Sequence, residues 1–97
     1  MIADMATKVK AARELVYDAA VTKDNGGNST LASSMAKYYA SEICNEVAAK
    51  SLQIHGGYGF VRGFKIERLY RDCRVFTIYE GTSQIQQMVI AGQIVGK

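Results

Sequence analysis

Apolar residues recur every three or four positions through the first 23 residues, which is the spacing that places them on one face of an α-helix. The sequence DNGGN at positions 24–28 interrupts this pattern, and Gly26 or Gly27 can take the left-handed conformation that ends a helix. We therefore predict a first helix from Ile2 to about Lys23. Its apolar positions are Ile2, Met5, Ala6, Val9, Ala12, Val16, Ala19 and Ala20.

A second apolar stripe begins after this turn. Ser29 or Thr30 can cap the new helix, which is longer than the average globular helix. The sequence HGGYGF at positions 55–60 ends it, because three glycines within four positions make a helix costly to continue. The stripe runs through Leu31, Met35, Tyr39, Ile43, Val47, Leu52 and Ile54.

Two further helices are predicted towards the C-terminus. The segment 65–75, KIERLYRDCRV, indicates a short helix in which Glu67 and Arg71 form an intrahelical ion pair. After the YEGTS turn, Ser83 and Gln86 match the capping box at the start of a fourth helix. The apolar positions of this last helix are Ile85, Met88, Val89 and Val95.

The order of these elements indicates the fold class. The chain has no proline and shows neither a hairpin signal nor a β-α-β alternation. We predict an all-α protein, an antiparallel up-and-down helical bundle of about three long helices plus one short, in a single domain over residues 1–97. The first stripe is already present at Ile2 without a cap, so we expect the domain to be incomplete on its N-terminal side. Apolar surface left uncovered would favour self-association.

Composition narrows the class of protein. Of the 97 residues 48% are apolar and 22% are charged, which is typical of a folded globular domain. No apolar stretch approaches the roughly 18 residues of a membrane span, and no export signal is visible. Cys44 and Cys73 are too few for a disulfide framework or a zinc site, and we expect no metal site. We interpret both as packing residues in a reduced setting, the cytoplasm, or the mitochondrial matrix if the parent is eukaryotic.

The net charge of +3 is dispersed except for one basic cluster, whose members are given below. The cluster lacks the aromatic interleaving of a nucleic-acid site, so we do not expect nucleic-acid binding. Two alternatives stay open: a solvated face paired with Glu67 and Asp72, or a surface for the phosphates of a nucleotide. The cluster consists of Arg62, Lys65, Arg68, Arg71 and Arg74.

The glycines of QIHGGYG, positions 53–59, allow a backbone to approach a phosphate or a flat ring closely. The run follows a helix rather than a strand, so it does not fit a dinucleotide fingerprint. A glycine-rich helix stop explains it equally well. Gln53 offers an amide to a ligand, and His55, the only histidine, has no adjacent acid or serine pattern and suits a structural or rim position.

Glu80 is the strongest candidate for chemistry, although a solvated loop acid is the simpler interpretation. It precedes a helix whose unpaired N–H groups favour anions. Thr82, Ser83 and Gln84 offer polar groups beside it. Its apolar neighbours could remove it from water and make it a better proton acceptor. Those neighbours are Val75, Phe76, Ile78 and Ile85.

The sequence from position 53 to position 95 resembles the C-terminal helical domain of the acyl-CoA dehydrogenases. The most specific segments are QIHGGYGF and RDCRVFTIYEGTSQIQ. A looser similarity extends back through SMAKYYASEICNEVAAKSLQ and ELVYDAA, so the resemblance covers nearly the whole chain. It implies a flavoprotein that oxidises an acyl-CoA to the 2-enoyl thioester, with FAD as cofactor and an electron-transfer flavoprotein as electron acceptor. A homodimer or homotetramer is expected.

The resemblance also implies roles for single residues. Glu80 is expected to be the base that takes the α-proton, and Gly81 to contact the substrate. Thr82, Ser83 and Gln84 are expected to contact the flavin. The resemblance assigns a second set to the FAD of a neighbouring subunit. That set is Gln53, Ile54, His55, Gly56 and Gly57.

Three departures from the family pattern matter. Gln87 and Gly92 stand where many relatives carry arginine, which weakens inference about CoA contacts. Some relatives place the base on an earlier helix, so Glu80 favours the straight-chain, short- or medium-chain type. Family enzymes also carry an N-terminal helical domain and a middle β-domain that build much of the active site. We therefore expect the chain to be inactive alone, or, alternatively, to be a non-catalytic helical oligomerisation module.

Overall fold

The computed structural model describes residues 1–96 and contains, in that range, four α-helices, two short 3-10 turns and no strand. The expected all-α fold with three longer helices and one short helix is confirmed. The 3-10 turns are Gly56–Phe60 and Cys73–Thr77. The helices are α1 (Ile2–Asp24), α2 (Thr30–Ile54), α3 (Lys65–Asp72) and α4 (Ser83–Val95).

Helices α1 and α2 form an antiparallel hairpin. Gly26, with φ of 78°, makes the left-handed turn between them, as the sequence predicted. Asp4 near the start of α1 pairs with Lys50 near the end of α2 at 2.9 Å. One turn further along α1, Lys8 pairs with Glu46, one turn earlier in α2. The two pairs run in opposite chain directions, which establishes the antiparallel register.

Helix α2 is the centre of the fold, because it packs against every other element of the described chain. Helix α4 runs antiparallel to it on another side. Lys37 of α2 binds the carbonyl oxygen of Gly81 just before α4, and Gln86 of α4 lines the same groove as Thr30, earlier in α2. The segment that carries the candidate site therefore rests on the N-terminal half of α2.

The core is small and open. No side chain within residues 1–96 is less than 2% exposed, and α1 contains no buried residue. Large apolar side chains on the outer helices stay exposed, among them Met88 at 69% and Val95 at 70%. The described chain thus has apolar faces that it does not cover by itself. The buried apolar residues are Ala36, Ile43, Ala48, Ile66 and Cys73.

The predicted cap position of α2 is confirmed at Ser29, whereas the cap predicted for α4 at Ser83 is wrong by one residue. Ser29 occupies the cap position of α2 without a side-chain bond, and the Asn28 Oδ1 accepts from the Thr30 backbone N–H at 3.0 Å instead. At α4 the cap is Thr82, whose Oγ1 accepts from the Ile85 N–H at 3.2 Å. Ser83 is the first helical residue and is buried.

The third predicted helix is too long by three residues. Helix α3 ends at Asp72, and the chain continues as the tighter 3-10 turn Cys73–Thr77. The Thr77 Oγ1 donates to the Arg74 carbonyl oxygen, and Thr77 is buried. This tight turn brings the chain back to α2 before it reaches Glu80.

Candidate active site

Residues 78–82, here called the Glu80 turn, connect the second 3-10 turn to α4. Glu80 has φ of 54° and is the one non-glycine residue of the described chain with a positive φ. Gly81 follows with φ of 94°. A left-handed conformation costs a side-chain-bearing residue about 1–2 kcal/mol, and such strain persists only where surrounding contacts impose it.

Side chains from two helices impose this conformation. The Lys37 Nζ donates to the carbonyl oxygens of Phe76 at 2.8 Å and Gly81 at 2.7 Å. From α4, the Gln86 Nε2 donates to the Glu80 carbonyl oxygen at 3.4 Å. Two of these bonds hold the backbone of the turn and the third holds Phe76 just before it, and within residues 1–96 none engages the Glu80 carboxylate. The side chain is left available for another group.

The Glu80 side chain is exposed in the described chain. Its apolar neighbours do not bury it, because Val75 is 44%, Ile78 53% and Ile85 48% exposed. The expectation that these residues remove the carboxylate from water is therefore not met within this chain. The turn instead presents the acid outward from a surface rich in exposed apolar side chains.

The start of α4 offers polar groups beside the turn. Thr82 uses its hydroxyl to cap the helix, and Gln84 is exposed. Ser83 is 5% exposed, and its Oγ has no hydrogen-bond partner within residues 1–96. This hydroxyl is almost completely covered, so a ligand at the surface does not reach it in the described chain. The free N–H groups of the helix start and the exposed Gln84 fit a polar cofactor such as a flavin.

The second expected cofactor segment, Gln53–Gly57, lies at the other end of α2, and all its residues are exposed. The His55 Nδ1 lies 2.7 Å from the Ser51 carbonyl oxygen, which matches the expected structural or rim position. A Cβ added at Gly56 or Gly57 would meet nothing within 4 Å. The backbone of these two glycines is therefore open to a ligand.

Gly59 differs from its neighbours. It is buried, and a Cβ there would lie 2.6 Å from the Leu52 carbonyl oxygen. The glycine allows the 3-10 turn to pack against the end of α2. The glycine-rich sequence thus contains one packing position, and Gly56 and Gly57 remain open.

The two cofactor segments do not meet within one chain. Lys37 contacts the Glu80 turn, and Gln53 follows 16 residues later on the same helix. At 1.5 Å per residue this places them roughly 24 Å apart. One chain therefore offers two separate contact regions, which is compatible with the expected role of Gln53–Gly57 towards a neighbouring subunit.

The sequence analysis missed a polar stripe on α2, formed by Lys37, Ser41 and Asn45. The Ser41 Oγ donates to the Lys37 carbonyl oxygen at 2.7 Å, and the Asn45 Nδ2 donates to the Cys73 carbonyl oxygen at 2.9 Å. Their spacing of four residues, with an alanine directly before Lys37 and before Ser41, was the available signal. Apolar periodicity does not reveal such a polar stripe.

Two of the five residues of the basic cluster form ion pairs within α3. Arg68 binds Asp72 at 3.2 Å, and Arg71 binds Glu67 at 2.8 Å as predicted. The hydrogen bond from Arg71 lowers the pKa of Glu67, despite some opposing desolvation. For Arg68 and Arg71, these pairs favour the solvated, salt-bridged interpretation over a nucleotide-binding surface.

The remaining candidate features are the cysteines, a metal site and a membrane span. Both cysteines are free, and burial raises the pKa of the Cys73 thiol, while Cys44 is exposed rather than packed. No group of three metal-ligating side chains occurs within residues 1–96. In the same range, none of the helices combines the length and hydropathy that crossing a bilayer requires.

Comparison with known proteins gives consistent matches. The domain described as "Acyl-CoA dehydrogenase, C-terminal domain" matches residues 1–95. The chain is 67% identical to the CarC subunit of the caffeyl-CoA reductase–Etf complex of Acetobacterium woodii, over 100% of this chain and 26% of that protein. It is 54% identical to a 3-(aryl)acrylate reductase of Clostridium sporogenes, over 96% of this chain and 25% of that protein.

A solved structure supports the same assignment. Butyryl-CoA dehydrogenase from Megasphaera elsdenii superposes with a TM-score of 0.94 at 40% identity, covering 96% of this chain and 24% of that one. The chain thus spans about a quarter of the length of the relatives that it matches. Because the domain match extends over nearly all of its residues, the chain belongs to the acyl-CoA dehydrogenase family and corresponds to the C-terminal domain of that family.

Proposed function

We propose that this chain is the C-terminal part of an FAD-dependent acyl-CoA oxidoreductase, in which Glu80 exchanges a proton with the α-carbon of a CoA thioester. The geometry of the Glu80 turn carries the proposal. A strained backbone is held by Lys37 and Gln86, while the carboxylate points away free of partners within residues 1–96. Such strain typically marks a functional position.

In the direction of oxidation, Glu80 accepts the α-proton as general base, and Gly81 contacts the substrate through its backbone. In the direction of reduction, the same carboxylic acid returns a proton to the α-carbon. When bound, FAD supplies the two-electron chemistry at the β-carbon. Thr82, Ser83 and Gln84 would hold one flavin, and Gln53–Gly57, including Ile54 and His55, would contact the flavin of a neighbouring subunit.

The chain alone is proposed to be inactive. A carboxylate that faces bulk water is a weak base towards a carbon acid, and catalysis requires water to be excluded from it. In the described chain Glu80 is exposed, and the two flavin-contacting segments lie roughly 24 Å apart. Additional domains and a second subunit, in a homodimer or homotetramer, would complete the site. An electron-transfer flavoprotein is the proposed electron partner, as the name of the Acetobacterium woodii complex suggests.

The direction of the reaction is a separate point. Two relatives that are more than 50% identical to the chain are named as reductases, whereas the dehydrogenase structure is 40% identical. This difference favours reduction of a 2-enoyl thioester over fatty acyl-CoA oxidation as the physiological direction. Glu80 serves either direction, since forward and reverse reactions share one transition state.

The test uses the complete protein that carries this chain. Glu80→Gln keeps the shape of the side chain but removes its basicity, and kcat should fall by about 10²–10⁴-fold in both directions. Turnover is measured with butyryl-CoA oxidation and with crotonyl-CoA and cinnamoyl-CoA reduction. The matched control is Glu14→Gln, an exposed acid on α1. Unchanged turnover in Glu80→Gln, at unchanged flavin content, rules out the assigned role.

The second candidate is a non-catalytic helical oligomerisation module. It is favoured by the uncovered apolar side chains of α1 and α4, such as Ile2 at 72% and Ile94 at 66% exposure. Sedimentation of the chain with and without FAD separates the two. A stable oligomer that binds no flavin, even with the remaining domains supplied, supports the module, and a folded monomer contradicts it.

A further inference from the structure

We propose that Lys37 is a positioning residue that aims the Glu80 carboxylate by fixing the backbone on both sides of it. The inference rests on the proposed function of Glu80, but the contacts themselves do not. The Nζ of Lys37 lies 2.8 Å from the Phe76 carbonyl oxygen and 2.7 Å from that of Gly81. One atom thus joins the two ends of the segment that contains Glu80.

The chemistry of lysine suits this task. An ammonium group carries three N–H donors around a single atom, so two carbonyl groups can converge on it, and its charge strengthens both bonds. Within residues 1–96, Lys37 forms no ion pair with a carboxylate. Its charge is therefore directed at these backbone oxygens.

The anchor of this side chain is rigid. Lys37 lies in the interior of α2, the helix against which every other described element packs. The side chain is only partly exposed, so its stem is held by packing. Groups supported by helices hold a reacting side chain more accurately than groups supported by loops. Lys37 therefore fixes the position of the turn relative to α2.

The strain at Glu80 explains why such a clamp is needed. Glu80 and Gly81 both have positive φ, and each of their carbonyl oxygens accepts one side-chain bond, from Gln86 and Lys37 respectively. Without Lys37, Gly81 loses its tether and the peptide is free to leave the left-handed conformation. The carboxylate then leaves its position, although the helices stay intact.

The experiment compares three variants of the complete flavin-loaded protein. Lys37→Met removes the donors and keeps the length of the stem. Lys37→Arg restores a cationic donor. Lys50→Met is the matched control, because it removes a lysine from the same helix that binds Asp4 and Glu46 instead of the turn.

A displaced base loses activity through kcat, by about 10–100-fold for a shift on the order of 1 Å. We expect this loss in Lys37→Met with little change in KM or flavin content, and partial recovery in Lys37→Arg. Amide hydrogen exchange should rise in a peptide that covers residues 74–84. Lys50→Met should leave kcat and that peptide unchanged. If Lys37→Met does not fold, Lys37→Gln replaces it. Its side chain is shorter and its amide is uncharged, and the same kcat and hydrogen-exchange results are expected.

Two results overturn the inference. One is a Lys37→Met protein with normal kcat and normal exchange over residues 74–84. The other is an equal loss of kcat in Lys50→Met, which would indicate general destabilisation. Parallel measurement of Glu80→Gln keeps the two proposals separate: if that variant stays active, the assigned base is wrong, while the exchange data still report whether Lys37 fixes the turn.

Discussion

Asp4 and Lys50 lie on different helices, and the distance between the Asp4 Oδ2 and the Lys50 Nζ is 2.9 Å. Lys8 and Glu46 sit beside them, so two acids and two lysines alternate across the junction of α1 and α2. Since α1 buries no residue, these ion pairs are specific contacts that help to fix its register on α2. Each pair favours the charged form of both partners, so the pKa values of the two acids are lowered and those of the two lysines are raised.

The network predicts how stability depends on pH. Hydrogen bonds from Lys50 and Lys8 lower the pKa values of Asp4 and Glu46 below their ordinary 3.8 and 4.5. The unfolded chain then binds protons more readily than the folded chain, so stability present above these ordinary values is lost as pH falls through the lowered ones. The lysine pKa values are raised above 10.5, so their contribution is lost as pH rises through the raised values.

The measurement compares the chain with its Asp4→Asn/Glu46→Gln variant by urea unfolding between pH 3 and pH 7. The variant should unfold at lower urea near neutral pH. The difference should shrink as pH falls below the ordinary values of 4.5 and 3.8, because the unfolded chain takes up protons there while the folded acids stay ionised. High salt should also reduce it. The control is Glu14→Gln/Asp18→Asn, two exposed acids of α1. A difference that does not vary with pH contradicts the assignment.

The helices were predictable because glycines mark their limits. Gly26 has the left-handed conformation predicted for the break after α1, and Gly56 follows the end of α2. Apolar periodicity indicated both helices between these marks. It did not indicate which face of α2 packs against the site, because that face is polar. Lys37 and Asn45 bind backbone carbonyl groups there, a pairing that depends on tertiary contacts.

The sequence indicated where the turn with Glu80 and the start of α4 lie, but not the environment of the Glu80 side chain. The motif located Glu80 and the start of α4 within one residue. The exposure of Glu80 was not predictable, because apolar residues that are close in sequence, such as Val75 and Ile78, do not have to cover its side chain in space. The cap at α4 moved to Thr82 because its hydroxyl reaches the Ile85 N–H, and this places Ser83 inside the fold.

Alanine substitutions at Gly57 and Gly59 should distinguish a role in ligand contact from a role in folding. Gly59→Ala would place a Cβ 2.6 Å from the Leu52 carbonyl oxygen, which is backbone and cannot move cheaply. We expect a loss of about 1–3 kcal/mol in the free energy of unfolding. Gly57→Ala meets nothing within 4 Å, so its effect on stability should stay within about 0.5 kcal/mol.

Unfolding of both variants is followed by circular dichroism in urea, and flavin content is read from the absorbance of the complete protein. If Gly57 contacts a flavin, Gly57→Ala should lower flavin content at normal stability. Equal stability of the two variants would contradict the packing role of Gly59. Normal flavin content in Gly57→Ala would argue against its assignment to the cofactor.

Gly81 should affect the reaction more than the fold. Its φ of 94° is unfavourable for alanine, and an added Cβ would lie 2.6 Å from the Gln86 Nε2. The Gln86 amide is the end of a flexible side chain, so it can move away, but it then loses its bond to the Glu80 carbonyl oxygen. Gly26→Ala is the matched control, because Gly26 has φ of 78° and open space around it.

Both variants should lose about 1–2 kcal/mol in the free energy of unfolding, since both force alanine into the left-handed region. Only Gly81→Ala should lower kcat, by about tenfold or more. Only this change removes the bond from Gln86 to the Glu80 carbonyl oxygen, so that the carboxylate is no longer held in position. Turnover of the complete protein and urea unfolding of the chain are measured side by side. Equal kcat in the two variants would mean that the conformation of the turn does not control the position of the base.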